Sequence, residues 1–293
     1  MPGSTTASDL SCWCGSDSRV ELFRTPKFGL LLCEQCGTYR NDPPPVSAGS
    51  ESEQFYTDYY QGVGSGARRT RDIRMEAAQY WRAARQVPEL QKVHERVADV
   101  GCGDGHLCAR LKHWGWNEVI GFEISGSRAA RAQALYPEVK IIHGLPDSSN
   151  LASNSLDLAI MEAVIEHIPE PVAALGNLRR FLKPDGLIAL TTPNLESGHF
   201  KLLKHRWTSM LCPHSHVYMF SPKSIQSLFD RAGYRTVAVG TFHEPTFKAI
   251  DYVKRMASGD IKGTVWRLGL ETAATYGRLI GQGPMLFAVG TPA

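Results

Sequence analysis

The stretch Arg96–Leu107 reads RVADVGCGDGHL, and a second short apolar run, Val119 to Phe122, follows it and ends on Glu123. Val97, Ala98 and Val100 have the composition of a short buried strand. Gly101, Gly103 and Gly105 then turn the chain sharply into a helix carrying Leu107, Leu111 and Trp114. This is the pattern of a nucleotide-binding βα turn. Glycine is needed there because a side chain would keep the backbone from approaching a ligand at the helix N-terminus, and an acidic residue closing the next strand is placed to accept hydrogen bonds from ribose hydroxyls. The spacing is GxGxG. The dinucleotide fingerprint GxGxxG would need a small residue where His106 stands, which disfavours a nicotinamide oxidoreductase.

Three further segments follow in order: GFEIS (Gly121–Ser125), LDLAIMEAVIEHIPEP (Leu156–Pro171) and LKPDGLIALTTPN (Leu182–Asn194). With DVGCGDG they resemble the successive motifs of class I S-adenosylmethionine-dependent methyltransferases, from about Arg96 to the C-terminus. Four ordered motifs are far more specific than one glycine loop. The resemblance implies an α/β fold with a doubly wound, mostly parallel seven-stranded Rossmann-like sheet. The remaining strands read as Val139 to Ile142, Leu156 to Met161, Leu187 to Leu190, Arg235 to Val239 and Met285 to Val289. Ser125 and Ser221-Pro222 start helices, and Gly233 ends the second of these. Phe247 to Ile280 reads as a helical insertion (about 246–281), part of the substrate wall or a homodimer contact.

Composition fits a globular enzyme. The 293 residues, 43% hydrophobic and 21% charged, suffice for one large domain with an appendage. A net charge of +3, scattered along the chain, argues against nucleic acid or an anionic membrane as partner. The absence of a long apolar run or a signal-peptide pattern, together with an odd number of cysteines (seven), predicts a cytoplasmic protein whose thiols are ligands or core residues.

Four cysteines lie near the N-terminus, Cys12-Trp-Cys14-Gly and Cys33-Glu-Gln-Cys36-Gly. A CxxC turn followed by glycine points two thiolates at one metal. A hairpin of Val20–Leu22 with Phe28–Leu32 would bring the two pairs together. The expected domain plan is a four-cysteine module with a Pro-rich linker over 1–45, a helical cap over 46–95 and the methyltransferase domain over 96–293. Zinc is favoured over iron because nothing suggests redox work. The segment from Asn41 to Ser52 reads as linker. In the cap, Phe55-Tyr-Thr-Asp-Tyr-Tyr60 precedes a helix from about Thr70 to Gln86; in similar methyltransferases such a segment lies over the cofactor, which makes Tyr59, Arg71 and Arg74 candidates to meet it, while aromatics packed on the core and solvated arginines are the simpler reading.

The resemblance implies that Asp99, Gly101, Gly103 and Gly105 surround the methionine part of S-adenosylmethionine and that Glu123 holds its ribose. It puts the adenine near Gly144-Leu145-Pro146, with Asp147 a weak candidate. Beyond the fourth strand it sets Glu166 and His167 beside the reacting centre. Glu162, Glu166 and His167 could instead hold a divalent cation; hydrogen-bonded support for the loop is the simpler reading. After the fifth strand come Asn194, His199, His205 and Trp207, then Pro213-His-Ser-His216-Val-Tyr-Met-Phe-Ser221. The run from His216 to Phe220-Ser221 resembles the stretch before the sixth-helix cap in small-molecule methyltransferases, where a histidine faces the acceptor; as a histidine titrates near neutral pH, the resemblance makes His216 the candidate base, and a structural histidine is the simpler reading. The expected reaction is methyl transfer to a hydroxyl of a sugar or another small metabolite. The alternatives are C- or N-methylation of such an acceptor, a zinc-containing RNA methyltransferase, and a non-catalytic cofactor-binding protein.

Overall fold

In the computed structural model, residues 11–45, 83–84, 86–92, 95–207, 211–243 and 256–293 are described. The N-terminal strands β1 (Arg19–Arg24) and β2 (Gly29–Cys33) form the expected antiparallel hairpin, with a bulge between Glu21 and Phe23. The bulge leaves Val20 and Leu22 exposed while Phe23 packs edge-on against Phe28. A third strand, β3 (Tyr39–Asp42), pairs antiparallel with β2. This corrects the linker reading of Asn41: its side chain is fully buried, and the chain is still in a strand at Asp42.

The main domain follows in chain order as β4 (Arg96–Val100), α1 (His106–His113), β5 (Glu118–Glu123), α2 (Gly126–Leu135), β6 (Lys140–His143), β7 (Leu156–Glu162), α3 (Pro171–Arg179), β8 (Leu182–Pro193), α4 (Gly198–Leu203), β9 (Tyr218–Met219), α5 (Pro222–Ala232), β10 (Tyr234–Phe242), α6 (Ile261–Leu279) and β11 (Met285–Pro292). Seven strands make one sheet in the order β10-β11-β8-β7-β4-β5-β6, parallel except for β11, which runs against both neighbours. The expected doubly wound α/β fold is the observed one.

Both faces of this sheet are buried, which is why its strands read as continuous apolar runs. Along β4 the alternation sends Ala98 and Val100 into a core with Phe122, Ile165, Leu190 and Phe229. Val97 goes to the opposite face with Leu107, Leu111, Val119 and Phe287. Ala83, Ala84, Val87 and Leu90, from the end of the expected cap, fill the same second core. Each fully buried Leu or Phe contributes roughly 1.5–3 kcal/mol. Lys183-Pro-Asp-Gly186, read as the turn before the fifth strand, belongs to β8 as a loop-out: Leu156 pairs with Leu182 but Leu158 with Leu187. Helix α5 carries the expected start and stop, a capping box between Ser221 and Ser224 and a left-handed Gly233. Of the expected insertion, residues 256–280 are described. Helix α6 lies there and leaves Val265, Trp266, Leu268, Tyr276 and Leu279 exposed.

The two parts of the chain share a sheet. The two-residue strand β9, deep in the main domain's sequence, pairs antiparallel with β3 through Tyr39–Met219 and Arg40–Tyr218, which completes a four-stranded sheet β1-β2-β3-β9. Among the described residues, no helix is long and apolar enough to cross a membrane.

Candidate functional site

In open α/β sheets, ligands bind beyond the carboxyl ends of the strands where the strand order reverses. Here that point is β4, with β7 on one side and β5 on the other. The glycine turn leaves β4 with positive φ at Gly101 (78°), Gly103 (57°) and Gly105 (80°), so a side chain at any of the three is strained. At Gly101 it would meet Val164 Cγ2 at 2.5 Å, at Gly103 the Arg128 guanidinium, and at Gly105 Ala132 at 3.1 Å. The α1 start is closed by His106, whose Nδ1 lies 2.7 Å from the Tyr136 hydroxyl, so the imidazole that departs from the dinucleotide pattern has a local partner.

Glu123 ends β5 facing this turn. Its Oε2 accepts the Gly103 N–H at 2.8 Å and its Oε1 accepts the Ser125 N–H at 2.8 Å. A carboxylate has about four acceptor positions, so two directions are left for further donors. The Gly144 N–H donates to the Glu123 carbonyl at 2.9 Å, which ties the end of β6 to the same corner, and Leu145 beside it is 61% exposed. Asp147 accepts from Ser149 and closes its own turn. Asp99, 2% exposed, takes the Cys108 thiol at 3.4 Å and faces the α1 side of the sheet with Val97. Asp104, absent from the sequence reading, is buried and pairs with Arg128 at 3.3 Å.

Beyond β7, the segment from Ala163 to His167 begins with a left-handed Ala163 (φ 53°) and closes in a single 3-10 turn, Ile165–His167. Glu166 is 1% exposed, and burial pushes its carboxyl up to about 7. Burial pushes His167 down to about 4, so its imidazole is neutral at neutral pH. The His167 ring stands against that of His216, centroids 4.7 Å apart at 77°. Side-chain donor atoms of Glu166, His167 and His216 all lie within 4.8 Å of one another. Glu162 is outside this group; its place beside His167 is taken by His216, from the other loop. Two hydrogen bonds tie this segment to the other loop: His167 Nδ1 is 2.9 Å from the Ser215 carbonyl, and the Val217 N–H donates to the Glu166 backbone carbonyl at 2.8 Å. The structure thus brings an adjacent pair, Glu166 and His167, together with a residue about fifty positions further along the chain.

The other polar residues after β8 do not join them. Asn194 is spent on the fold, donating to the Gly283 carbonyl and accepting the Glu196 N–H. His199 stacks near His243, which pairs with Glu271, while His205 packs on Phe23 and Trp207 lies in the apolar core under the N-terminal sheet. Tyr59, Arg71 and Arg74 lie outside the described residues.

The four N-terminal thiols converge. Cys12 and Cys36 sulfurs are 3.5 Å apart and those of Cys14 and Cys33 are 3.6 Å apart, all four within 4.8 Å of one another and buried. A tetrahedron of Zn–S bonds of about 2.3 Å spaces its sulfurs at about 3.8 Å. The contact between the Cys12 and Cys36 sulfurs pulls the Cys36 thiol down to about 5, while the same contact and burial push Cys12 up. A buried donor set of this composition fits one thiophilic cation. The first pair has one residue fewer between its cysteines than the CxxC of the second, and after it Gly15 (φ 80°) closes a turn, its N–H donating to the Cys12 carbonyl at 2.7 Å.

Residues 70–239 match the family described as "Methyltransferase domain". That is more than half of the chain. The chain belongs to this methyltransferase domain family. A ubiquinone biosynthesis O-methyltransferase of Xanthomonas oryzae pv. oryzae is 30% identical over 112 residues, 36% of this chain and 46% of the relative. The chain therefore spans about half the length of the curated relatives it matches. Among solved structures, a chain from the complex between the Haloferax volcanii Trm112 methyltransferase activator and a methyltransferase superposes with a TM-score of 0.56 at 18% identity. It covers 80% of this chain and 96% of that one. A Thermotoga maritima S-adenosylmethionine-dependent methyltransferase superposes with a TM-score of 0.52 at 18% identity, covering 82% and 98%. These likenesses show the fold.

Proposed function

We propose that this methyltransferase-family chain moves a methyl group from S-adenosylmethionine to a hydroxyl of a small-molecule acceptor, a sugar or another metabolite. The observation that carries the reading is the neighbourhood of two sites on one sheet edge. A glycine turn backed by the Glu123 carboxylate leaves β4, and the buried Glu166–His167–His216 cluster follows the adjacent β7. The hydroxyl acceptor is favoured by a cluster able to receive a proton, and by the O-methyltransferase named among the relatives.

Within the proposed site, Glu123 accepts the ribose hydroxyls while it keeps the Gly103 N–H in place, and the glycines let the backbone approach the cofactor. Asp99 acts from behind the turn, and Tyr59 is the candidate from the cap. Bound S-adenosylmethionine supplies a sulfonium whose methyl is already electrophilic. With the cofactor bound, the His216 imidazole would take the proton of the acceptor hydroxyl as that oxygen received the methyl group, the sulfur keeping the electron pair of the broken bond. His167 and Glu166 hold the loop that carries His216. Alignment supplies much of the acceleration, since the electrophile needs no further activation.

The four thiols take one structural zinc, and the chain is organised as the 1–45 module, the 46–95 cap and the 96–293 catalytic domain. Calorimetric titration with S-adenosylmethionine tests the first step: saturable one-to-one binding supports the reading, and no heat at any concentration up to millimolar removes it.

A further inference from the structure

We infer that Asn41 of the four-cysteine module is a positioning residue for His216, so that the module holds the proposed acceptor site in shape across the shared sheet. This rests on the reading of His216 as the group that takes the acceptor proton. The side-chain Nδ2 of Asn41 donates to two backbone carbonyls at once, Leu211 at 3.0 Å and His216 at 3.0 Å, from a position with no exposure to solvent. Those carbonyls are the two ends of one tight turn. Inside it Cys212 sits in the left-handed region (φ 32°), and the Ser215 and His216 N–H groups both donate back to the Cys212 carbonyl at 2.9 Å. A non-glycine residue at that φ is strained and is kept there by its surroundings. One amide from a different part of the chain thus clamps a strained turn at both ends.

The consequence reaches both imidazoles. His216 is the last residue of the clamped turn, and the Ser215 carbonyl next to it is the partner of His167 Nδ1. If the turn opens, the ring of His216 and the hydrogen bond that orients His167 move together. The clamp is itself anchored immediately downstream, where β3 pairs with β9 starting two residues after His216. Asn41 Oδ1, meanwhile, is buried with no hydrogen-bond partner among the described residues. A buried acceptor without a partner costs stability, so this amide is poorly explained as a purely stabilising choice. It is well explained as the donor that two converging carbonyls require.

The test compares two variants that each break a contact between the module and the main domain. Asn41→Ala removes the clamp. Ser221→Ala removes the α5 cap and the Ser221 hydroxyl's 3.4 Å approach to the Gly37 carbonyl, and leaves the two carbonyls held by Asn41 their donor. With the metal-loaded protein, Asn41→Ala is expected to lower kcat at least tenfold with S-adenosylmethionine affinity and metal content unchanged. Ser221→Ala is expected to lower the melting temperature while keeping kcat within twofold. A readout independent of turnover accompanies these: the imidazole NMR resonances of His216 and His167 are expected to shift or broaden in Asn41→Ala and to stay put in Ser221→Ala. Unmoved imidazole resonances in Asn41→Ala, or equal losses of kcat in the two variants, overturn the inference. If the wild-type protein transfers no methyl group to any acceptor, the functional reading falls, and the resonances alone still decide whether Asn41 positions His216.

Discussion

The Glu123 carboxylate at the end of β5 accepts the backbone N–H of Gly103 in the turn after β4, at 2.8 Å. One side chain therefore shapes the glycine turn and presents acidic oxygen beside it. Removing it should weaken the site in two ways. Glu123→Ala is expected to lose about 1–3 kcal/mol of S-adenosylmethionine binding, the loss expected for hydrogen bonds to a charged acceptor. A dissociation constant equal to wild type, measured by calorimetry on protein with native circular dichroism, would contradict the assignment.

Gly101→Ala tests the turn from the opposite side. Its φ of 78° is hostile to any side chain, and its Cβ would meet Val164 at 2.5 Å, in the segment that leads to Glu166. Gly115 shares the left-handed backbone (φ 95°) but has nothing within 4 Å. Gly115→Ala should cost about 1–2 kcal/mol of stability and leave ligand binding alone. Gly101→Ala should cost more and reduce cofactor affinity at least tenfold. Equal behaviour of the two variants in melting and titration experiments would mean that the crowding at Gly101 is irrelevant to the site.

Metal analysis tests the cysteine cluster. Purified protein is expected to hold one zinc per chain, and the double substitution Cys33→Ser with Cys36→Ser should release it and loosen β1 and β2. Cofactor binding should persist, because the glycine turn belongs to the other sheet. Elemental analysis that finds neither zinc nor iron in carefully prepared wild-type protein removes the site.

His216→Ala should lower turnover roughly 10²–10⁴-fold, the usual contribution of a positioned acid or base, with cofactor affinity unchanged. His214→Ala provides the comparison. Near-normal turnover in His216→Ala combined with a large loss in His214→Ala would show that the proton goes elsewhere.

Much of the main domain could be read from the chain because its signals are local. Buried parallel strands are continuous apolar runs, the glycine turn is contiguous, and Ser221-Pro222 with Gly233 punctuates α5 within thirteen positions. The four thiols could be read because ligand spacing is a short-range property. What escaped was long-range. Strand β3 has mixed composition, Tyr-Arg-Asn-Asp, and β9 has two residues, so neither carries a periodicity; β9 exists because β3, itself paired with β2, supplies its partner about 180 positions away. Asn41 next to prolines looks like linker chemistry, and its role depends on two carbonyls 170 and 175 residues along. Within the proposed site, one motif carries Glu166 and His167 and another carries His216. Their approach to one another is a property of the folded sheet edge.

The most direct measurement is the mass of the product. The protein would be incubated with a metabolite extract and S-adenosylmethionine carrying an isotopically labelled methyl group, and the small-molecule fraction read by mass spectrometry. The account predicts at least one metabolite that gains a single labelled methyl on oxygen, lost when His216→Ala replaces the wild type. A protein that binds the cofactor yet labels nothing, or that places the label on RNA or on carbon or nitrogen alone, would contradict it.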